Sequence, residues 1–166
     1  MAPTLEIDVD PVWTQEIDWE ALSAKAADAA AQVAPELAHD QLLVSLVLAD
    51  DAEVQALNKQ WRAKDAPTNV LSFPMLSRAE VLNAARDGAH EGMLGDVILA
   101  HGVCAREAAD KGVTLETHAT HLIVHGLLHL AGYDHATEDA EAAEMEALET
   151  KALALMGLAD PYCGAS

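Results

Sequence analysis

A stretch with three histidines, His125-Gly-Leu-Leu-His129-Leu-Ala-Gly132-Tyr-Asp-His135, constrains this chain more than any other feature. On an α-helix, residues four apart lie one turn above each other, so two imidazoles at that spacing can converge on one ion at about 2.0–2.1 Å. Gly132 can end the helix in a left-handed turn that brings His135 toward the same ion. Three neutral nitrogens leave one tetrahedral position open, as in catalytic zinc sites. The stretch therefore predicts a metal-dependent hydrolase, with zinc as the expected metal.

Two further histidines, His118 and His121, lie on nearly the same face of this predicted helix. Either could compete as a metal ligand or orient a ligand through a hydrogen bond. We expect both to be hydrogen-bonded or exposed histidines without a direct bond to the metal.

The spacing of the three histidines is also that of the metzincin proteases, in which the residue after the first histidine is a glutamate that acts as general base. Gly126 occupies that position and cannot abstract a proton. Peptide hydrolysis by the usual route is therefore disfavoured unless another carboxylate takes part, and Asp134 is the nearest. Because glycine inside a helix costs about 1 kcal/mol relative to alanine, we expect Gly126 to provide room, for instance beside the metal.

The apolar pattern predicts an α+β fold, in which a small mixed sheet of three or four strands packs with four or five helices. The chain of 166 residues is expected to form a single domain. A mobile surface segment is expected over about 75–93 and a loose tail over about 158–166. One predicted helix, running from Asp50 or Asp51 to about Arg62, carries Val54, Leu57 and Trp61 at apolar positions. The predicted strands lie at about 5–9, 41–48, 70–73 and 94–100, and the other predicted helices at about 18–33, 102–111, 114–131 and 137–156.

The net charge of −19 argues against nucleic-acid binding, because it repels polyanions at long range. A local cationic cluster can overcome that repulsion, and Lys59, Arg62 and Lys64 place three of the nine basic residues within six positions. The alternative is that these cations complement the dipole of a solvated helix end.

Targeting signals are not recognisable in the sequence. The N-terminus lacks a basic region followed by an apolar block, and no apolar run approaches the roughly 18 residues that span a bilayer. Cys104 and Cys163 lie far apart and suggest no disulfide framework. A cytoplasmic protein without membrane contact is expected.

Three segments of the chain resemble the YbeY family of endoribonucleases, the ribosomal RNA maturation factors. Residues 125–135 match the signature H-G-x-L-H-L-x-G-Y-D-H of that family. Residues 58–74, N-K-Q-W-R-A-K-D-A-P-T-N-V-L-S-F-P, and the strand L-G-D-V-I at 94–98 resemble it as well. The resemblance covers nearly the whole chain, from about Leu5 to Met156.

The resemblance implies a zinc-dependent, single-strand-specific endoribonuclease that acts in ribosomal RNA processing and ribosome quality control. Its implied metal ligands, for one Zn²⁺ per chain, are His125, His129 and His135, and its functional arginine is Arg62. With Lys59 and Lys64, Arg62 would bind the substrate. The implied partners are single-stranded RNA and the small ribosomal subunit with its proteins, and no DNA is expected.

One position departs from the family pattern. Where the family commonly has aspartate this chain has Asn69, which keeps the shape but loses the charge, so we interpret it as a structural turn residue. Two other functions stay open: a ribosome-assembly factor whose metal is mainly structural, and a metzincin-like peptidase without the usual glutamate.

Overall fold

The computed structural model describes residues 2–14, 16–38, 42–87, 92–133, 139–158 and 161. The described part contains four strands and six α-helices. In chain order the elements are β1 (Thr4–Val9), α1 (Trp19–Val33), a short 3-10 helix (Pro35–Leu37), β2 (Leu42–Ala49), α2 (Asp51–Arg62), β3 (Val70–Pro74), α3 (Arg78–Asp87), β4 (Gly92–Ala100), α4 (His101–Lys111), α5 (Leu115–Leu130) and α6 (Asp139–Leu155).

The four strands form one mixed sheet in the order β1-β2-β4-β3. Strands β1, β2 and β4 run parallel, and β3 pairs antiparallel with β4 at the edge. The predicted α+β class with a small mixed sheet is confirmed, although the described helices outnumber the four or five that the sequence pattern predicted.

Side chains alternate between the two faces of the sheet, and each face has its own apolar cluster. Leu46 and Leu48 of β2 join Val97 and Leu99 of β4 in the larger cluster, together with α1 and α5. Helix α6 packs against α1 and α5 and closes that side. On the opposite face, Ile98 packs with residues from α2 and β3. The larger cluster therefore buries α5 between the sheet and two other helices.

Two adjacent aspartates at the start of α2 cap two different helices. The side chain of Asp50 accepts a hydrogen bond from the Glu53 N–H at 2.8 Å and so caps α2 itself. The carboxylate of Asp51 accepts from the Gly102 and Val103 N–H groups at 2.8 and 3.2 Å and caps α4. These bonds satisfy helix-terminal donors that otherwise lack intrahelical partners, and they join α2 to α4.

The segment expected to be mobile, about residues 75–93, contains α3, and Val81 of α3 is fully buried. Strand β4 already begins at Gly92 within this segment. Its mobility stays a prediction. In the expected loose tail, only residues 158 and 161 lie within the described part of the chain.

Helix α5 approaches β4 closely because Gly126 has no side chain. A Cβ atom placed on Gly126 would lie 2.7 Å from Cγ1 of Val97, which is closer than packed carbon atoms come. The expectation that Gly126 provides room is correct, but the room is taken up by Val97 of the sheet and not by a metal.

We predict that Gly126→Ala lowers the free energy of unfolding by about 1–3 kcal/mol, because the added methyl group overpacks the contact with Val97. Inside a helix alanine is more favourable than glycine by about 1 kcal/mol, so a loss of stability would result from the contact with Val97. Urea unfolding of Gly126→Ala, Val97→Ala and the double variant forms a double-mutant cycle. We expect the double variant to lose less stability than the sum of the losses in the two single variants. Additive losses would contradict the close approach.

Candidate metal centre and its surroundings

Four histidines form a stripe along one side of α5. His118, His121, His125 and His129 follow each other at intervals of three and four residues, which places them on one helical face. Neighbouring ring centroids along the stripe lie 6.2, 6.5 and 6.3 Å apart. The first two rings are buried and the last two half-buried. The stripe therefore runs from the interior toward the more accessible C-terminal end of the helix.

The buried carboxylate of Glu149, on α6, accepts hydrogen bonds from two of these rings. Its Oε1 atom lies 3.0 Å from His121 Nε2 and 2.9 Å from His125 Nδ1, and its side chain is 1% exposed. Burial alone raises the pKa of Glu149, but the hydrogen bonds and charges of His121 and His125 outweigh it and hold the pKa at about 2. At neutral pH Glu149 is therefore an ionised group that only accepts hydrogen bonds.

The bond to Glu149 determines which nitrogen of His125 is available for a ligand. Because Glu149 only accepts, Nδ1 of His125 carries the proton of this bond, so in the neutral form of the ring, the form that binds a metal, the lone pair lies on Nε2. A carboxylate behind a metal-binding imidazole is the usual arrangement in zinc sites, where it selects the tautomer and makes the ring more basic. His121 instead turns its Nε2–H toward Glu149 and is a hydrogen-bonded histidine, as the sequence led us to expect.

At the N-terminal end of the stripe, Glu107 of α4 binds both His118 and Asn69. Its Oε1 atom lies 2.8 Å from His118 Nε2 and 3.0 Å from the Asn69 side-chain amide nitrogen. Burial is the largest influence on His118 and lowers its pKa, although the bond to Glu107 opposes that shift. An aspartate at position 69 would set a second carboxylate against Glu107, so asparagine suits this turn.

The C-terminus of α5 ends in a Schellman motif. The Gly132 N–H donates to the His129 carbonyl at 3.0 Å, and the Tyr133 N–H donates to the Leu128 carbonyl at 3.2 Å. Gly132 has φ +104°, the positive value that the sequence analysis predicted for this turn. A Cβ atom on Gly132 would also meet the Arg78 side chain at 2.6 Å, so glycine is needed here for its space as well.

Arg78, at the start of α3, holds this turn to the short helix after α1. Its Nη1 atom donates to the Ala131 carbonyl at 2.8 Å and pairs with the Glu36 carboxylate at 2.6 Å. The Tyr133 hydroxyl donates to the same carboxylate at 3.0 Å, and the Arg78 guanidinium lies 4.5 Å from the centre of the Tyr133 ring. Arg78 and Glu36, both distant in sequence, thereby fix the position of Tyr133, two residues before His135.

The third expected ligand, His135, lies outside the described residues, as do Asp134 and Cys163. Within the described ranges no group of three histidine, cysteine, aspartate or glutamate side chains could hold a metal ion. His125 and His129 do fit two positions of an imidazole site, because they lie one turn apart with ring centroids separated by 6.3 Å. Glu149 supplies the carboxylate such a site requires behind one ligand. A metal bound by all three histidines stays a prediction.

The three predicted substrate-binding cations lie at the end of α2. The Arg62 Nη2 atom donates to the Ser72 carbonyl of β3 at 3.0 Å, and its guanidinium lies 5.6 Å from the centre of the Phe73 ring. Lys59 lies 3.9 Å from the Asp65 carboxylate, in an ion pair whose side chains are both more than 60% exposed. Lys64 is exposed beyond the helix end. Helix α5 also packs against β3, the strand to which Arg62 is bonded.

Comparison with known proteins supports the resemblance that the motifs indicated. A family model described as Endoribonuclease YbeY matches residues 9–157. The chain belongs to the YbeY family. A protein of Novosphingobium aromaticivorans named Endoribonuclease YbeY is 75% identical over 161 residues, which cover 97% of this chain and 96% of that protein. A protein of the same name from Erythrobacter litoralis is 54% identical, over 95% of this chain and 96% of its own length.

The solved structures include the solution structure of TM1509 from Thermotoga maritima, which aligns with a TM-score of 0.57. The alignment covers 96% of this chain and 99% of the other at 22% identity, so it supports the fold alone. Among the described residues, no helix is long and apolar enough to cross a membrane.

Sequence reasoning missed three charged residues around the YbeY motif: Glu149, Arg78 and Glu36. Each lies in a segment without a recognisable motif, and Arg78 lies in the stretch interpreted as a surface segment. Glu36 and Glu149 are 9% and 1% exposed, and a buried carboxylate implies a cationic or hydrogen-bond-donating partner. Burial cannot be read from one glutamate in an acidic sequence, so the sequence offered no signal for them.

We predict that Arg78→Ala lowers the free energy of unfolding by about 1–3 kcal/mol, because the buried Glu36 carboxylate loses its charged partner. The expected loss is modest because the Arg78 side chain is 38% exposed, so solvent screens its attraction to Glu36. Urea unfolding measures the change. The matched control is Arg106→Ala. The Arg106 side chain is 67% exposed, and its ion pair with Asp51, at 3.4 Å, is longer than the pair between Arg78 and Glu36. That control should change stability by about 0.5 kcal/mol or less, and equal losses in both variants would contradict a structural role for Arg78.

Proposed function

We propose that this protein is a zinc-dependent endoribonuclease that cleaves single-stranded RNA in ribosomal RNA processing and ribosome quality control. The activity is proposed from family membership, since the similar proteins carry the name Endoribonuclease YbeY. The observation that carries the zinc dependence is the hydrogen bond from His125 Nδ1 to buried Glu149, because it leaves Nε2 of that ring as the lone-pair nitrogen.

In this proposal His125, His129 and His135 hold one zinc ion. When bound, such an ion acts as a Lewis acid that activates water and polarises a phosphoryl oxygen. Glu149 keeps the His125 ring in the required tautomer and orientation from behind. Because Glu149 is itself fixed by a second bond, from His121, the position of the His125 ring is determined before any metal binds.

Arg62 is proposed to bind a nonbridging phosphate oxygen and to offset the negative charge that grows in the transition state. A guanidinium offers five N–H donors in a planar fork that matches phosphate geometry. The bond from Nη2 to the Ser72 carbonyl and the contact with Phe73 restrict the side chain. A donor held in place costs less to order when the substrate arrives, which is the condition for electrostatic stabilisation.

The net charge of −19 suggests how the substrate is found. Free RNA is repelled at long range, and only Lys59, Arg62 and Lys64 form a cationic cluster in the sequence. We propose that the small ribosomal subunit and its proteins supply much of the affinity for ribosomal RNA in the cytoplasm.

A metzincin-like peptidase is disfavoured by the packing of Gly126. In the proteases the residue at this position carries the catalytic carboxylate, whereas the Cβ direction of Gly126 points at Val97 in the sheet. Even a glutamate introduced here would have to enter the apolar cluster beneath α5. Because Gly126 faces the sheet, the cleavage chemistry in this proposal lies on the side of α5 that carries the histidines.

We expect the purified protein to bind about one equivalent of zinc, which His129→Ala should abolish, because two remaining imidazoles hold a tetrahedral ion poorly. Glu149→Gln should retain one equivalent at saturating zinc and weaken its affinity about 10- to 100-fold. Elemental analysis and competition with a chromogenic chelator measure both effects. His101→Gln, outside the stripe, is the control and should bind like wild type. Full zinc content in His129→Ala would refute the ligand assignment.

Arg62→Ala should leave zinc content and thermal stability near wild type while lowering the rate of single-stranded RNA cleavage by roughly 10²–10³. Arg62→Lys should restore part of the rate, because it keeps the charge but lacks the fork. Gel analysis of a defined labelled RNA measures cleavage, with Arg106→Ala as the control for removing an exposed arginine. Cleavage by Arg62→Ala at the wild-type rate would exclude the phosphate-binding role. No cleavage by wild type with any metal would favour the assembly-factor alternative.

A further inference from the structure

Trp61 is exposed although the helix pattern predicts that it is buried. It follows Val54 and Leu57 on the apolar side of α2, and Val54 is fully buried, but the Trp61 side chain is 65% exposed. The other two tryptophans of the chain, Trp13 and Trp19, are 0% and 4% exposed. The indole of Trp61 thus leaves a large aromatic face in water, and an exposed aromatic face of this kind can bind a ligand.

The position of Trp61 limits what can bind it. It lies on the last turn of α2, directly before Arg62, where Ala63 adopts the left-handed conformation that ends the helix. Arg62 is held against β3 by its bond to the Ser72 carbonyl, so the last turn of α2 is anchored at the sheet edge. Trp61 therefore directly precedes a residue whose guanidinium is restrained.

Charge favours a polyanion as the occupant. The chain carries 28 acidic and nine basic residues, yet Lys59, Arg62 and Lys64 surround Trp61 in the sequence. Arg62 directly follows Trp61, and Lys59 and Lys64 lie two residues before it and three residues after it, in a protein that is otherwise strongly acidic. Single-stranded nucleic acid combines phosphates with unpaired bases whose faces stack on aromatic side chains. An apolar protein partner would gain nothing from the three cations.

We propose that Trp61 is a stacking platform for one unpaired base of the RNA substrate, next to the phosphate that Arg62 binds. This inference rests on the proposed endoribonuclease function and deepens it. In a duplex the faces of each base are already covered by its neighbours, so only a single strand can offer a base to the indole. Trp61 thereby contributes to the selection of single-stranded over double-stranded RNA.

Tryptophan fluorescence tests the contact directly, since Trp61 is the one exposed tryptophan of the three, all of which lie in described ranges. A short oligouridylate added in the presence of EDTA, which prevents metal-dependent cleavage, should quench the emission of wild type. A duplex RNA of similar length should quench it far less. Trp61→Phe should remove the quenchable signal and leave the emission of Trp13 and Trp19.

The affinity for the same oligonucleotide separates stacking from charge. Trp61→Ala should weaken binding roughly 5- to 150-fold, the effect of losing one base–aromatic stack, and Trp61→Tyr should restore most of it. This ratio to wild type should stay constant as salt is raised, because stacking releases no counterions, whereas Lys64→Ala should lower the salt dependence. Leu155→Ala, which shortens another side chain that is 53% exposed, should bind like wild type.

Thermal unfolding of Trp61→Ala should stay near that of wild type, because the side chain removed is mostly in water. If Trp61→Ala binds RNA as tightly as Leu155→Ala, the stacking role is refuted, while RNA cleavage by wild type would leave the proposed function intact. If duplex RNA quenches as strongly as single strands, the selection role is refuted. If wild type neither binds nor cleaves single-stranded RNA, the proposed function fails first and this inference fails with it.

Discussion

The packing of helix α5 between the sheet and two other helices dictates which partners its polar side chains need. The helix packs against the sheet through Gly126 and Val97 and is covered by α1 and α6, yet one of its sides carries four histidines. Polar rings taken out of water cost free energy unless they are hydrogen-bonded. Glu149 on α6 and Glu107 on α4 meet that requirement for His118, His121 and His125, so some of the acidic residues that make the chain negative also supply hydrogen-bond partners inside it.

The hydrogen bonds that partner the buried histidine rings also have a chemical consequence. A carboxylate that stabilises a buried imidazole also fixes its tautomer, and His125 therefore keeps a lone pair on the nitrogen away from Glu149. His121, deeper in the stripe, secures Glu149 from the other side. At the helix end, Arg78, Glu36 and Tyr133 hold the turn that leads to His135. The candidate metal ligands are thus supported by residues from α3, α6 and the short helix after α1.

The proposed RNA surface is built on a different principle. Arg62 and Trp61 lie on the exposed last turn of α2, whereas Val54 near the start of the helix is buried in the smaller apolar cluster. Electrostatic attraction is concentrated in one small region of an acidic protein, which suits recognition of a short segment more than a long duplex. Stacking is insensitive to sequence, because every base has an aromatic face.

Local spacing along the chain was sufficient to predict the histidine helix, the glycine turn at Gly132, the α+β class and membership of the YbeY family. Periodicity and glycine conformation act over a few residues, so they can be read directly from the chain. Three other features became evident from the fold: Glu149 and Arg78 bond to the histidine helix and its end, Gly126 makes room for Val97, and Trp61 is exposed. These facts depend on which residues from distant segments meet and on where the core ends, and no local pattern carries that information.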